Sequence, residues 1–163
     1  MMALIGMVIA LVLIIVAFVG PWYSISILGV NANYGLQNAD VGGVTMEYTD
    51  AMGSGIDVFT NTMYITIVAL IFAIICLIGI LGAQFNFGKP ATMGMLGGVF
   101  GILTFILALI APIYFMTSAF LDQVSDVGFW NEMGGPGYAW YIMIVAAIIA
   151  LITTLPLFKK QVA

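Results

Sequence analysis

Four long segments without a single charged residue constrain this chain more than any other feature of its sequence. They cover residues 2–19, 63–83, 92–115 and 138–158. A helix needs about 20 apolar residues to cross the hydrocarbon core of a bilayer, and each segment approaches or exceeds that length. Soluble domains are about a quarter charged, whereas this chain of 163 residues is 6% charged. The sequence therefore predicts a single membrane domain over residues 1–163, built on a bundle of four transmembrane helices.

The charged residues lie between these segments and predict an orientation. Lys89 follows the second segment, and Lys159 and Lys160 follow the fourth. Because lysines concentrate on the cytoplasmic side, we expect the 84–91 loop and both termini to be cytoplasmic. The loops 21–61 and 117–137 are then extracellular, on a multi-pass protein of the plasma membrane. Segment 2–19 lacks the basic start of a signal peptide, so we expect it to remain as the first helix.

The first outer loop shows the alternation of a β-sheet rather than the pattern of a helix. Apolar and polar residues alternate over 22–28 and 30–36, and again over 44–48. Leu28-Gly29 between the first two runs suits a two-residue hairpin turn. The fold class is therefore an all-α membrane bundle with a small antiparallel extracellular sheet. The apolar face of that sheet needs a cover from the second outer loop, the helix ends or another subunit.

Large apolar and aromatic residues in the outer loops are candidates for contacts of this outer domain. The candidate outer-domain interaction residues are Trp22, Tyr34, Leu36, Tyr48 and Trp130. A second group of candidates lies in the third segment, where small residues recur at helical spacing and let helix backbones approach closely. These candidate helix-packing residues are Gly94, Gly97, Gly98 and Gly101. Such glycines serve either packing within the bundle or a dimer-forming face.

The sequence lacks the groups that most enzymes and cofactor sites require. It contains no histidine, and its apolar segments contain no Asp, Glu, Lys or Arg, the residues that mark ion and proton pathways in membranes. No nucleophile with a base, phosphate loop or dinucleotide fingerprint occurs. We expect no catalytic, cofactor or metal site, and no nucleic-acid or soluble small-molecule partner. Asp122 and Asp126 leave Ca²⁺ binding open, although a solvated acidic surface explains them as well.

A few residues of the first outer loop resemble a known membrane family. Pro21-Trp22 is similar to the early tryptophan of the claudin and peripheral-myelin-protein superfamily, and Tyr34-Gly35-Leu36 is similar to the Gly-Leu of its Gly-Leu-Trp motif. The order of four spans, a long first outer loop and a shorter second one also resembles that superfamily. Gln37 stands where the second tryptophan would be, and both loop cysteines are absent. The resemblance implies adhesive strands, paracellular pores or auxiliary subunits.

These observations favour a non-catalytic accessory or scaffold subunit of a larger membrane or cell-envelope assembly, bound to other membrane subunits or to itself. A claudin-like, self-associating adhesion or barrier protein is the alternative. A pore-forming subunit is a further possibility, because Thr66, Thr104, Thr153 and Thr154 place a few polar groups near the spans. So is a subunit of a membrane oxidoreductase whose cofactors are held by neighbouring chains.

Overall fold

Four helices make up most of the protein. The computed structural model describes residues 1–48, 57–117 and 134–162, with the backbone alone for residues 27 and 159–162. The helices are α1 (Met2–Val19), α2 (Asp57–Phe85), α3 (Pro90–Met116) and α4 (Tyr138–Val162). All four are long and apolar enough to cross a membrane. With the small antiparallel sheet described below, they confirm the predicted bundle of four long apolar helices, which indicates a multi-pass membrane protein.

Three of the four helices extend beyond the apolar segments from which they were predicted, whereas α1 matches segment 2–19. α2 begins at Asp57 rather than at residue 63, and α4 runs to Val162 rather than to 158. Asp57 lies in the first turn of α2, where a negative charge complements the helix dipole. Pro90 begins α3 at the position where proline is best tolerated in a helix. A search for apolar segments detects only the apolar part of a helix, so it does not detect the polar turns at the helix ends.

The helices are arranged as a ring, in which α1 and α3 each pack against both α2 and α4. Small residues fill the interior, and large branched residues cover the outside. The buried alanines of the helices are Ala10, Ala17, Ala69, Ala73, Ala108, Ala111, Ala139, Ala146, Ala147 and Ala150. Isoleucines and valines such as Ile5, Val12 and Ile71 lie exposed on the outer surface. This distribution suits helices that pack in lipid, where close backbone approach replaces the hydrophobic effect as the driving force.

An antiparallel sheet of five strands lies at one end of the bundle. Its strands are β1 (Tyr23–Ile27), β2 (Val30–Tyr34), β3 (Asn38–Val41), β4 (Val44–Glu47) and β5 (Gly134–Pro136), in the order β4-β3-β2-β1-β5. The sequence predicted β1, β2 and β4 but neither β3 nor β5. Gly134-Gly135-Pro136 has no alternating pattern in the sequence, yet it pairs with β1. Proline and glycine are tolerated there because β5 is an edge strand.

Two tight turns set the register of the sheet. Leu28 and Gly29 both have positive φ angles, of 51° and 82°, as the predicted turn between β1 and β2 requires. Gly42 and Gly43 adopt similar angles between β3 and β4, at 60° and 86°. The carboxylate of Asp40 accepts a hydrogen bond of 3.0 Å from the Gly43 N–H. Both turns lie at the same end of the sheet, because the Gly42 N–H donates to the carbonyl of Asn31 beside the first turn.

The register gives the sheet one apolar and one polar face. Ile25 pairs with Ala32, Ala32 with Val41, and Val41 with Val44, and directly paired residues share a face. The intervening residues are polar: the Ser24 hydroxyl and the Asn33 side-chain oxygen, for example, lie 2.8 Å apart in a cross-strand hydrogen bond. The alternation that predicted the sheet therefore continues through both hairpins.

Candidate functional site

The sheet is attached to the bundle at the end opposite its two turns, through buried aromatic rings. Trp22 is fully buried, and its indole N–H donates a 2.8 Å hydrogen bond to the carbonyl of Ala17 in the last turns of α1. Its ring lies 5.5 Å from that of Phe115 on α3, which lies 5.3 Å from Phe59 on α2. Tilted and edge-to-face ring pairs add stability beyond the area they bury. Three helices are thus joined beneath the start of β1.

Tyr48 fixes the segment between β2 and β3 to the same cluster. Its ring stacks on Phe59 at 5.0 Å, and its hydroxyl donates a 2.7 Å hydrogen bond to the carbonyl of Gly35. Burial raises the pKa of the Tyr48 hydroxyl well above its usual range, and the neighbouring Tyr34 raises it further. Leu36 is buried beside Gly35. This part of the sheet is therefore held by contacts within the chain.

The second outer segment completes the attachment through backbone contacts. The Gly137 N–H donates to the carbonyl of Trp22 at 2.9 Å, and the Ala139 N–H donates to the carbonyl of Pro21 at 3.1 Å. A Cβ atom at position 137 would collide with the carbonyl oxygen of Pro21. Glycine is required there because two backbones meet. The start of α4 and strand β5 are thereby tied to the end of α1.

The predicted outer-domain interaction residues that the structure describes are buried or half-buried, not exposed on an open surface. Trp22 and Leu36 are buried, and Tyr34 and Tyr48 are half-buried in the aromatic cluster. Trp130 lies outside the described residues. The contacts of these four described side chains are internal, so their part in binding another protein stays a prediction. The alternation of their sequence located the sheet but did not show which end of it would be covered.

An exposed apolar surface does occur, at the opposite end of the sheet. We call it the tip patch and define it by Leu28, Val30, Val44 and Met46. Leu28 is 100% exposed, Val30 50% and Val44 63%. Val44 pairs with Val41 and Met46 pairs with Ala39, so both lie on the apolar face. That face is covered at Ala39, which is buried, and uncovered at the tip patch.

The tip patch adjoins an edge strand of the sheet. Within the part of the chain that the structure describes, β4 is the last strand on its side, and all four of its residues are exposed. An edge strand presents unpaired N–H and C=O groups to which another strand can add. A short strand and Glu47 limit this pairing, whereas Val44 and Met46 favour contact. The sequence signal that could have located the patch is the run Val44-Thr45-Met46, once β3 is recognised as its inner neighbour.

The glycines of the third segment meet neighbouring helices of the same chain. A Cβ atom at Gly97 would lie 3.2 Å from the backbone nitrogen of Ile80 on α2, and one at Gly98 would lie 2.9 Å from the ring of Phe158 on α4. Gly101 lies against Thr154 on α4. Gly94 is half-buried near the start of α3. Gly79 on α2, which the sequence reading missed, provides the surface that Gly97 meets.

The threonines that suggested a polar path mostly bond to their own helices. The hydroxyl groups of Thr66, Thr104 and Thr154 donate to the carbonyls four residues earlier, at 2.8, 2.8 and 2.5 Å. Such bonds satisfy a hydroxyl within an apolar helix. Among the described residues, no three acidic or cysteine side chains come together as potential metal ligands. Asp122 and Asp126, considered for Ca²⁺, lie outside those residues.

Comparisons with known proteins do not assign this chain to a family. No protein-family model matches the sequence, and no curated protein matches it significantly. The tip patch and the free edge of β4 are therefore the candidate functional site on the strength of their own exposure and chemistry.

Proposed function

We propose that this protein is a non-catalytic accessory or scaffold subunit of a membrane assembly, and that it binds a neighbouring membrane protein through the tip patch and the edge of β4. The exposure of Leu28, Val30 and Val44 at the tip of a firmly attached sheet is the observation that carries the proposal. Contiguous exposed apolar surface marks interaction sites. The partner we favour is an extracellular segment of another membrane subunit.

The attachment of the sheet supports this role. Buried aromatic rings hold its root on the bundle, as do the backbone bonds at Pro21 and Trp22, so the tip is presented at a defined position. A preorganised surface loses less conformational entropy on binding than a flexible loop. The positive-inside rule favours an orientation with the lysines on the cytoplasmic side. The sheet, at the other end of the bundle, is then extracellular and accessible to such a partner.

The alternative function is self-association in the manner of the claudin and peripheral-myelin-protein superfamily. The open edge of β4 favours it, because an antiparallel strand can pair with its own copy across a two-fold axis. Val44 and Met46 of both copies would then lie on one continuous apolar face. The partner in this case is a second copy of the chain.

Crosslinking in native membranes distinguishes these functions. The chain has one cysteine, Cys76, which is buried. In a Val44→Cys variant, the new cysteine therefore supplies the thiol that a crosslinker can reach. Asn31→Cys, exposed on the polar face of the sheet, is the matched control. With a crosslinker that attaches to the thiol and reacts with any nearby residue on illumination, adducts to another protein from V44C but not N31C support the accessory role, and homodimers support self-association. Equal labelling at both positions, or no adduct from either, contradicts both.

Loss of binding provides a second test. Val44→Lys combined with Met46→Lys places two charges on the apolar face, whereas Thr45→Lys places one on the polar face of the same strand. Each of these residues is exposed, so we expect all variants to fold. Co-purification or homo-oligomers should disappear in the first variant and persist in T45K. Loss in T45K alone would indicate a contact made by the polar face.

A further inference from the structure

At the end of the bundle opposite the sheet, the helices part around a cleft of about 1220 Å³. All four contribute to it, through the starts of α1 and α3 and the ends of α2 and α4. Its floor includes Ile80, which is 1% exposed, and Thr153. Met95 and Ile152 on its rim are largely exposed. We call this end of the bundle the lysine end, because Lys89 precedes α3 there and Lys159 and Lys160 lie in the last turns of α4.

The depth of the cleft places it at the boundary between the hydrocarbon core and the lipid headgroups. Its lining on α4 spans residues 152–157, which come just before Lys159 and Lys160. On α3 it spans residues 90–95, which come just after Lys89. Six residues of helix extend about 9 Å. A groove of that length is too short to seat a transmembrane helix, but it suits the part of a lipid chain next to its headgroup.

The charge at the lysine end selects the kind of lipid. The described acidic residues Asp40, Glu47 and Asp57 belong to the sheet and the start of α2, at the opposite end. No acidic residue occurs in the sequence between Asp57 and Asp122, or after Glu132. Lys89 therefore directly precedes Pro90, which lines the apolar cleft, and the described residues at this end include no acidic side chain. Basic residues at the end of transmembrane helices attract anionic lipid headgroups.

We propose that this cleft binds one anionic phospholipid, with the upper part of an apolar chain against Ile80 and Ala83 and the phosphate held by Lys89. Gln84, which also lines the cleft, supplies a hydrogen-bonding amide near the headgroup. Lys159 and Lys160 add positive charge at the same end. The lipid covers apolar surface at the lysine end and neutralises positive charge there, two functions that a zwitterionic lipid fulfils only in part.

Lipid retention measured by native mass spectrometry tests this proposal. The purified protein is titrated with phosphatidylglycerol or with phosphatidylcholine carrying the same chains. We expect one phosphatidylglycerol to be retained at lower concentration than phosphatidylcholine. Lys89→Gln should weaken phosphatidylglycerol binding about fivefold, the effect of one lysine near an anionic membrane surface, and leave phosphatidylcholine unchanged.

Two tryptophan variants show where the lipid binds. Ala83→Trp fills the floor of the cleft and should abolish one-to-one retention of phosphatidylglycerol. Val99→Trp, on an exposed part of α3 away from the cleft, should retain it. Equal binding of the two lipids, an unchanged affinity in K89Q, or equal loss in both tryptophan variants would overturn the proposal. Should A83W fail to fold, the comparison of K89Q with the unmodified chain still decides it.

Discussion

Replacing Gly79 by alanine tests whether α2 and α3 owe their packing to backbone contact between two glycines. A Cβ atom at position 79 would lie 2.5 Å from the nitrogen of Gly97, 2.7 Å from its Cα and 2.9 Å from the carbonyl oxygen of Met93. Carbon atoms pack best at about 3.5–4.0 Å, so the helices must separate by about 1 Å. Every obstructing atom belongs to the backbone, and no rotation of a side chain relieves the contact.

The expected cost follows from this geometry. Overpacking a well-packed interior destabilises by about 1–3 kcal/mol, so we expect Gly79→Ala to lower the free energy of unfolding by that amount. Gly82→Ala is the matched control on the same helix. Its Cβ would meet the side chain of Met93, with Cγ at 2.9 Å and Sδ at 3.1 Å, and a methionine side chain adapts readily. We expect G82A to change stability by less than about 1 kcal/mol.

Unfolding by sodium dodecyl sulfate in mixed micelles, followed by near-ultraviolet circular dichroism, measures both variants. The buried ring of Trp22 makes this signal sensitive to tertiary structure. A difference of about 2 kcal/mol corresponds to roughly a thirtyfold change in the unfolding equilibrium. If G79A unfolded at the same detergent fraction as G82A, or later, contact between the glycines would not hold α2 against α3.

Three further predictions concern the root of the sheet. Trp22→Ala should cost about 3–5 kcal/mol, because it removes a fully buried ring, whereas Trp22→Phe should cost less since it mainly loses the hydrogen bond to Ala17; equal midpoints in the same detergent titration would contradict this ranking. Tyr48→Phe should cost about 0.5–1.5 kcal/mol at neutral pH for the lost bond to Gly35. The raised pKa of Tyr48 means that the folded state keeps a proton that the unfolded state releases, so stability should be full below about pH 10 and fall as the pH rises further. Titrations at about pH 8 and pH 11 should show a smaller alkaline loss in Y48F, and an equal loss would exclude Tyr48 as the cause. Gly137→Ala should weaken the attachment of β5, because the new Cβ collides with the Pro21 carbonyl; hydrogen exchange of the β1 amides should accelerate there but remain unchanged in Gly135→Ala, where a Cβ meets no atom within 4 Å.

Part of the sheet was readable from the sequence because strand alternation is local. Leu28-Gly29 between two alternating runs predicted the first hairpin, and its positive φ angles agree. Strand β5 was not readable, because Gly134-Gly135-Pro136 carries no alternation of its own. It becomes a strand by pairing with Tyr23, Ser24 and Ile25, more than 100 residues earlier in the sequence. Such a strand is defined by its partner rather than by its residues.

The candidate functional site was likewise only partly predictable from the sequence. The sequence indicated that large apolar side chains would matter in the first outer loop, and Trp22, Leu36 and Tyr48 do occupy the junction of sheet and bundle. It did not indicate that Val44 and Met46 would remain exposed, because exposure depends on where the sheet is attached. The root lies on the helices and the tip does not, and only the assembled backbone decides that.

The sequence by itself determined that the chain has four helices long and apolar enough to cross a membrane, because the absence of charge over about 20 residues is a local property of the sequence. It did not determine how those helices face one another. A helix that is apolar all round gives no periodic signal for its inner side. In the tertiary structure, small residues determine which faces of the helices pack together. The backbones approach closely where Gly79 meets Gly97 and where alanines line the interior. Many isoleucines and valines of the helices are left on the surface. In lipid, close packing rather than hydrophobicity decides which side of a helix faces inward.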